Sequence, residues 1–367
     1  MWAAVLEGPG QRLQIERIRV PRPGPGEVLV KVAACGICHT DLHVIRGEVA
    51  FPTPAVIGHE VAGRVVEVGP GVDRVREGER VVASFIMPCG SCPACRRGRD
   101  DLCERFFRLN RLQGVLYDGA TRLFREDGRP LAMYSMGGMA EYCVIPAHGV
   151  FALPESIPWR DAAIVGCAVF TGYGAVRRAA DLRPGCQVAV VAAGGVGSVI
   201  VQLSRAFGAA AVIAVDVRED KLQAARRLGA TATVNARQED PVAAVRQMTH
   251  GAGVDVAFEV LGRAETFAQA LSMVADGGRL VAVGIAPGDT AASVPITHVV
   301  RRGISIVGSY GARAGVDMPT ILTLLAAGFI QPGAVVSEVV GLDAVPDAYE
   351  RLAAGDITGR AVAVFES

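Results

Sequence analysis

The chain has 367 residues, more than one hydrophobic core usually serves, and this length predicts two domains. Hydrophobic residues make up 51 % of it and charged residues 20 %, a composition typical of a compact protein and not of a disordered one. Lysine plus arginine equals aspartate plus glutamate at 37 each, so no net charge attracts nucleic acid or an anionic membrane, and we expect neither partner.

Two further features bear on the compartment. The first residues lack the basic start, apolar core and cleavage site of a secretory signal. The uncharged stretch 184–204 contains four glycines, which weaken a membrane helix and suit a strand, a turn and a helix. We therefore expect a cytoplasmic protein, in which nine cysteines favour metal binding or free thiols over disulfides.

The chain changes its pattern near its middle. Three valine-rich runs between Val28 and about Ala83 (VLVKVAACGI, AVIGHEVAGRVVEVG and RVVAS) predict strands and a barrel-like opening. Residues 108–134 show neither the alternation of a strand nor the periodicity of a helix, which predicts a long loop. From Gln187 apolar runs alternate with helical segments, which predicts parallel strands, right-handed crossovers and a doubly wound sheet.

Four cysteines lie close together in CGSCPACRRGRDDLC: Cys89, Cys92, Cys95 and Cys103. Four thiolates can complete a tetrahedral zinc shell and leave no position for a substrate, which predicts a structural site. An iron–sulfur ligand set and free thiols are the alternatives. The polar, arginine-rich loop favours zinc.

Cys38 in GICHTD and His59 in GHE, 21 residues apart, make half of a second zinc site. A third protein ligand would leave the fourth position for water or an alcohol oxygen. A redox pair of Cys38 with Cys35 is a poorer interpretation, because it would compete with the metal for Cys38. Spacing alone leaves the third ligand open among four cysteines: Cys35, Cys143, Cys167 and Cys186.

The runs GICHTDLH, GHEVAGRVVEVG, CGSCPACRRGRDDLC, GCAVFTGYGA and AGGVG resemble, in motif, order and spacing, the zinc alcohol dehydrogenases of the medium-chain dehydrogenase/reductase superfamily. The resemblance implies an α/β fold with a barrel-like (GroES-like) catalytic domain, residues 1–168 completed by 310–367. It implies an NAD-binding Rossmann domain over residues 169–309, with a doubly wound parallel sheet. It also implies two zinc ions per chain, one catalytic and one structural.

The resemblance also assigns the open metal site. It implies that Cys38, His59 and Cys167 hold the catalytic zinc, the Cys2His set known for alcohol dehydrogenases. Glu60 matches an acidic neighbour that approaches the metal during ligand exchange. Asp41 matches a carboxylate that orients the His59 ring. The alternative for Asp41 and Glu60 is an ordinary polar pair on the surface.

A proton has to leave a water-poor pocket during alcohol oxidation, so a relay to solvent is needed. Thr40 and His43 match the family's relay positions, linked through the nicotinamide ribose. From the residues alone, the alternatives are a Thr40 hydroxyl bonded to the backbone and a His43 that is an ordinary surface histidine. Phe85 matches an aromatic wall of the substrate pocket, although an aromatic residue in a strand is more often core.

A strand, a glycine-rich turn and a helix predict a dinucleotide site. Gly194, Gly195 and Gly197 let the backbone approach a pyrophosphate at the helix N-terminus. Ala192 replaces the first glycine of the fingerprint and weakens it. Asp216, 19 residues beyond Gly197, is the acid expected to bind the ribose hydroxyls.

The acid predicts NAD rather than NADP, because a carboxylate repels a phosphate on the same ribose. Arg218 is a complication, since a guanidinium could pair with that phosphate. The resemblance adds five contacts to the cofactor: Lys221 at the adenosine ribose, Thr171 and Val196 at the nicotinamide, Ile285 at its carboxamide and Arg360 at the pyrophosphate.

These patterns predict a reversible hydride transfer between a small-molecule alcohol and NAD. Two alternatives are a lyase that keeps zinc and NAD without net turnover of the cofactor, and a relative without catalysis. The complete relay counts against the lyase, and the seven candidate ligands count against the relative without catalysis. The loop 108–134 resembles an insertion of dimeric members, so we expect a homodimer, with residues 301–312 pairing across subunits. The sequence does not identify the substrate.

Overall fold

The computed structural model describes residues 1–286, 288 and 290–365. The strands of this part of the chain are β1 (Trp2–Leu6), β2 (Gln14–Arg17), β3 (Glu27–Ile37), β4 (Ala55–Val56), β5 (Val61–Val68), β6 (Arg80–Ala83), β7 (Leu123–Phe124), β8 (Pro130–Met133), β9 (Tyr142–Pro146), β10 (Val150–Ala152), β11 (Gln187–Val191), β12 (Ala211–Asp216), β13 (Ala232–Asn235), β14 (Val254–Glu259), β15 (Val274–Ala282), β16 (Ser305–Gly308), β17 (Val336–Val340) and β18 (Arg360–Val364).

The α-helices of the same residues are mostly short. They are α1 (His39–Ile45), α2 (Pro93–Arg96), α3 (Trp159–Ala163), α4 (Ala168–Tyr173), α5 (Gly195–Ala206), α6 (Glu219–Arg227), α7 (Pro241–Met248), α8 (Ala264–Met273), α9 (Ile296–Arg302), α10 (Ala314–Ala326) and α11 (Val345–Ala354). Two π-helical turns add Phe106–Arg111 and Gly174–Ala179. None of the helices described is long and apolar enough to cross a membrane.

The chain divides into two compact units. The first unit comprises Met1–Phe170, Arg313–Ala326 and Val336–Ser367, and the second comprises Thr171–Ala312 and Ala327–Val335. The predicted domains differ from these units in three places: residues 169–170 belong to the first unit, and residues 310–312 and 327–335 belong to the second. The Gln331 amide N–H there donates to the Gln202 side chain over 2.8 Å.

The first unit is built on two mainly antiparallel sheets, each with one parallel pair, β17 with β18 and β4 with β8. Its larger sheet has the order β10-β6-β5-β3-β18-β17, and β9 also pairs with β3. Nine of the eleven residues of β3 are buried, since neighbouring strands and helices cover it. The smaller sheet has the order β2-β1-β4-β8-β7. The strands β3, β5 and β18 are adjacent, and their ends position the site described below.

The second unit contains one sheet of six parallel strands in the order β13-β12-β11-β14-β15-β16. Its inner strands are almost continuously apolar, as in β11 with the sequence QVAVV, because helices cover both faces of such a sheet. The strand order reverses between β11 and β14. From β11 the chain adds β12 and β13 on one side of the sheet, and it then adds β14, β15 and β16 on the other side. The predicted doubly wound parallel sheet is confirmed.

Two sequence predictions about the first unit are wrong in detail. The loop predicted over 108–134 contains β7 and β8, which are too short to show a period of two in the sequence. The run AVIGHEVAGRVVEVG is two strands, β4 and β5, and not one. The break falls at Gly58, whose φ of 97° is a left-handed conformation that glycine adopts easily.

Candidate functional site

Three adjacent strands end at one point in the first unit. Cys38 follows β3, His59 and Glu60 precede β5, and Arg360 begins β18. The register pairs Cys35 with Val61 and Ile37 with Ala361, so these strand ends lie side by side. Segments far apart in the sequence are therefore brought to a common site by sheet pairing.

Cys167 reaches the same place from the segment after α3. The Phe85 amide N–H donates to the Gly166 carbonyl over 2.9 Å and holds this segment against the end of β6. A Cβ atom at Gly166 would lie 1.7 Å from the Ala83 carbonyl oxygen, so only glycine permits this approach. The ligand atoms of Cys38, His59, Glu60 and Cys167 all lie within 4.8 Å of one another.

The His59 ring is oriented by Asp41. Asp41 Oδ1 accepts hydrogen bonds from His59 Nδ1 over 3.0 Å and from the Gly58 amide over 3.1 Å. Among the described residues, His59 Nε2 is buried and has no hydrogen-bond partner. A buried nitrogen in this state is costly, and a cation bound between it and the two thiols would satisfy it. The residues thus fit a zinc ion with Cys2His ligands.

Glu60 and Arg360 form a buried ion pair beside the ligands. Arg360 Nη2 lies 2.9 Å from Glu60 Oε1, and the two side chains are 6 % and 0 % exposed. Desolvation by burial raises the pKa of Glu60 to about 7, although the Arg360 charge opposes the rise. The interpretation of Asp41 and Glu60 as a surface pair is wrong, since both are fully buried.

The position of Arg360 leaves one expectation untested. The resemblance implied a contact to the cofactor pyrophosphate, whereas the guanidinium pairs with Glu60 beside the metal ligands. A contact of Arg360 with a pyrophosphate stays a prediction.

The helix α1 carries both candidate relay residues. Thr40 Oγ1 lies 3.5 Å from Cys38 Sγ, so its hydroxyl stands at the metal site. His43 is partly exposed, and its Nδ1 is hydrogen-bonded to the Glu48 carboxylate. Glu48 was not singled out from the sequence, although it follows His43 by only five residues. A carboxylate on Nδ1 fixes the tautomer and leaves Nε2 able to accept a proton.

Aromatic rings line the same site. The Phe85 ring lies edge-on to His59 at 6.2 Å between centroids and to Phe170 at 5.9 Å. The Tyr134 ring also lies edge-on to His59, at 6.0 Å between centroids. Phe85 is 5 % exposed and belongs to the buried core beside the ligands, so its role as a pocket wall stays a prediction. Tyr134 lies in the segment predicted as a loop and gave no signal in the sequence.

The second cysteine cluster is closed. The Sγ atoms of Cys89, Cys92, Cys95 and Cys103 lie within 4.8 Å of one another. Backbone N–H groups of Cys89 and Cys92 donate to thiols of the set over 3.2 and 3.3 Å. Burial acts to raise the pKa of Cys92, but N–H donors of Cys95 and Glu104 lower it to about 6. Burial instead raises the pKa of Cys95 and that of Cys103, so the geometry carries the assignment: four converging sulfur atoms fit a structural zinc.

The glycine-rich turn lies between β11 and α5 in the second unit. A Cβ atom at Gly197 would lie 2.0 Å from the Ala192 carbonyl oxygen, so the helix can approach the strand only with glycine there. A Cβ atom at Gly194 would meet nothing within 4 Å, which leaves open space at the helix N-terminus. Ala192 has a φ of 76°, a conformation in which the fingerprint glycine would be unstrained.

Asp216 ends β12 next to this turn and is mostly buried. Its Oδ2 accepts from the Ala193 amide over 2.9 Å, and its Oδ1 accepts from the amides of Val217 and Arg218 over 2.8 and 3.0 Å. The carboxylate therefore also shapes the turn, and one of its four acceptor positions remains for a ligand. The Arg218 guanidinium is paired with Asp220 over 2.6 Å.

The remaining cofactor candidates are all in the second unit. Thr171 is 8 % exposed and Ile285 is 44 % exposed. Gly195 begins α5, and Val196 and Lys221 are half-buried on α5 and α6. Their contacts to a cofactor stay predictions.

Tyr349 is the site residue that the sequence indicated least. It lies 308 positions from Asp41, yet its hydroxyl donates to Asp41 Oδ2 over 3.0 Å. It belongs to α11, whose amphipathic pattern predicts a helix but not the strand end against which it packs.

Family models match both parts of the chain. Residues 24–155 match the model of the alcohol dehydrogenase GroES-like domain, and residues 195–327 match that of the zinc-binding dehydrogenase. An alcohol dehydrogenase of Moraxella sp. (strain TAE123) is 38 % identical over 99 % of this chain and 98 % of its own length.

Two solved structures are similar over the whole chain. An alcohol dehydrogenase zinc-binding domain protein from Burkholderia ambifaria shares 32 % identity with a TM-score of 0.94, covering 100 % of this chain and 99 % of that one. The benzyl alcohol dehydrogenase from Acinetobacter calcoaceticus shares 29 % identity with a TM-score of 0.93 at the same coverage.

Together with the two cysteine-containing clusters and the parallel sheet, these similarities define a zinc-type oxidoreductase of the medium-chain dehydrogenase/reductase superfamily. The chain belongs to the zinc-dependent alcohol dehydrogenase family.

Proposed function

We propose that this protein oxidises a small-molecule alcohol to an aldehyde or ketone, and catalyses the reverse, with a catalytic zinc and NAD as the hydride acceptor. The observation that carries the proposal is the buried His59 Nε2, which has no hydrogen-bond partner among the described residues and faces two thiols. When bound, zinc supplies a Lewis acid that lowers the pKa of an alcohol and polarises a carbonyl.

The residues of the first unit then handle the proton and the surroundings of the substrate. Thr40 holds a hydroxyl beside the ligands and can accept the proton of the substrate hydroxyl while passing on its own. His43, with its Nδ1 on Glu48, is placed to carry the proton to solvent. Phe85 excludes water from one side of the site, since its ring packs against His59.

We propose two zinc ions per chain. Cys38, His59 and Cys167 would hold the catalytic ion and leave one position open, with Glu60 as an alternative ligand during exchange. The four cysteines of the closed cluster would hold the structural ion. Seven cysteine and histidine ligands thus divide into an open set of three and a closed set of four.

The choice of NAD rests on Asp216 and the glycine-rich turn. The open space at Gly194 and the N-terminus of the twelve-residue helix α5 suit a pyrophosphate. The remaining acceptor position of Asp216 can receive a hydrogen bond from a ribose hydroxyl, and the negative charge of the carboxylate would repel a phosphate on that ribose. The pairing of Arg218 with Asp220 weakens the case for NADP, because that guanidinium already has a carboxylate.

We also propose a homodimer formed through the second unit. The strand β16 is an edge of the parallel sheet, and Ile306 on it is 38 % exposed. No residue of the adjacent helix α9 is buried, and Ile296 and Val300 are 77 % and 72 % exposed. An exposed edge strand flanked by apolar side chains favours pairing with a second copy. Light scattering at known concentration measures this directly.

The cytoplasm is the proposed compartment. All nine cysteines are free, and a reducing environment keeps the six in the two clusters available as thiolate ligands instead of forming disulfides.

The experiment that tests the function is a turnover screen with NAD over aliphatic, benzylic and terpenoid alcohols, read by the absorbance of reduced nicotinamide. Cys38→Ser is the matched negative variant, and Cys186→Ser is the control for loss of a thiol outside both clusters. We expect turnover in the native protein and in Cys186→Ser only. Substrate loss without reduction of NAD would favour a lyase and contradict the proposal.

A further inference from the structure

The C-terminal helix α11 is attached to the helix that carries the relay residues. Arg46, at the end of α1, donates from Nη2 to the Ala353 carbonyl over 3.3 Å. On the buried face of α11, Tyr349 is 3 % exposed and its hydroxyl donates to Asp41 Oδ2 over 3.0 Å. A chain of hydrogen bonds therefore runs from Tyr349 through Asp41 to His59.

The Tyr349 hydroxyl is suited to this contact as a permanent donor. Burial and the neighbouring Asp41 carboxylate raise the pKa of Tyr349 well above its usual value, so the hydroxyl keeps its proton. Asp41 is fully buried, and its Oδ1 already accepts from His59 and the Gly58 amide. Tyr349 thus satisfies the second oxygen of a buried charge that would otherwise be costly to desolvate.

We propose that Tyr349 is a positioning residue for the catalytic metal: its hydroxyl fixes the Asp41 carboxylate, which in turn fixes the His59 ring that points Nε2 at the zinc. This inference rests on the proposed catalytic zinc site. A carboxylate held at both oxygens cannot turn away from Nδ1, so the ligand nitrogen keeps its direction. The helix α11 thereby stabilises a metal site whose ligands lie far from it in the sequence.

The test is the rate at which each metal leaves the protein. The two zinc ions of the native holoenzyme are released to a colorimetric chelator, and the ion that Cys38→Ser removes identifies the catalytic phase. Tyr349→Phe keeps the packed ring and removes only the hydroxyl. We expect the catalytic ion to leave about tenfold faster, the low end of the effect on metal affinity when a ligand's hydrogen-bond partner is disturbed, while the ion of the four-cysteine cluster leaves at an unchanged rate.

Matched variants separate positioning from general destabilisation. Tyr142→Phe removes a half-buried hydroxyl from β9 in the same unit and should change neither rate. Asp41→Asn should accelerate the catalytic phase, and adding Tyr349→Phe to it should have little further effect, because both act through one contact. Cobalt substitution gives a second readout, since the thiolate absorption bands of the catalytic site should shift in Tyr349→Phe.

Several results would overturn the inference. A catalytic phase at the native rate in Tyr349→Phe, equal acceleration of both phases, or full additivity with Asp41→Asn would each show that the hydroxyl does not act through Asp41. If Tyr349→Phe folds poorly, an Asp41→Asn protein with native metal release would refute it instead. A native protein with one zinc, unaffected by Cys38→Ser, would contradict the proposed function rather than this inference alone.

Discussion

Two glycines of the same turn should respond to one added methyl group in opposite ways. At Gly197 a Cβ atom would lie 2.0 Å from the Ala192 carbonyl oxygen and 3.5 Å from Val190 Cγ1. The Ala192 oxygen belongs to the backbone and cannot rotate out of the way, so α5 would have to shift away from β11. Overpacking of this kind costs about 1–3 kcal/mol, and we expect Gly197→Ala to lower the melting temperature by several degrees.

At Gly194 a Cβ atom would meet nothing within 4 Å, and the φ of −73° suits any residue. We expect Gly194→Ala to change the free energy of unfolding by no more than about 1 kcal/mol, which is the usual effect of replacing a helix N-cap residue. The methyl group would occupy the space that we assign to the pyrophosphate. The dissociation constant of NADH should therefore rise at least about tenfold, or 1.4 kcal/mol.

The assay is thermal unfolding of the cofactor-free variants together with a fluorescence titration by NADH. The prediction requires the two effects to separate: Gly197→Ala loses stability, and Gly194→Ala loses affinity alone. A Gly194→Ala protein that binds NADH as tightly as the native chain would refute the assignment of this turn. A Gly197→Ala protein of native stability would refute the packing argument.

Four further substitutions test the metal sites, the relay and the cofactor choice. Cys38→Ser should remove one zinc and the activity with the fold kept, whereas Cys92→Ser should chiefly lower thermal stability; metal analysis and unfolding curves check both, and two zinc ions with normal turnover in Cys38→Ser would contradict the open site. His43→Gln should slow turnover most at low and neutral pH, since hydroxide can replace the missing base at high pH; an unchanged pH profile would return His43 to a surface role. Asp216→Gly should shift the ratio of kcat/KM for NAD and NADP toward NADP by about 1–3 kcal/mol; a native protein that prefers NADP would refute the role of Asp216.

The second unit was predictable because its signals are local. A strand such as QVAVV is apolar throughout, the glycines follow directly, and Asp216 stands at the end of the next apolar run. Each parallel strand is separated from the next by a helix, which the sequence signals by apolar residues at helical spacing. The hydrogen bonds of Asp216 to the turn were not predictable, because they depend on how two loops meet.

The metal ligands were predictable only with the family resemblance. Spacing indicated Cys38 and His59, but Cys167 was one cysteine among several until the motifs were compared. Arg360 and Tyr349 join the site through the pairing of β3 with β18 and the packing of α11. Such contacts join residues some 300 positions apart, and no single-sequence pattern gives their register.

The short elements were missed for a different reason. The strands β7 and β8 have two and four residues, which are too few for an alternation of apolar and polar side chains to be recognised. Glu48 could have been found, because it lies within reach of His43 just beyond the same helix.

The central claim is that hydride passes from the carbon of an alcohol to NAD. An alcohol that turns over in the screen, deuterated at the carbinol carbon, measures this most directly when the reduced cofactor is isolated and its isotope content is determined by mass spectrometry. We predict one deuterium in each molecule of NADH formed, in equal amount to the carbonyl product, and none when Cys38→Ser replaces the native protein. Carbonyl or alkene product with no label in the cofactor would contradict the account.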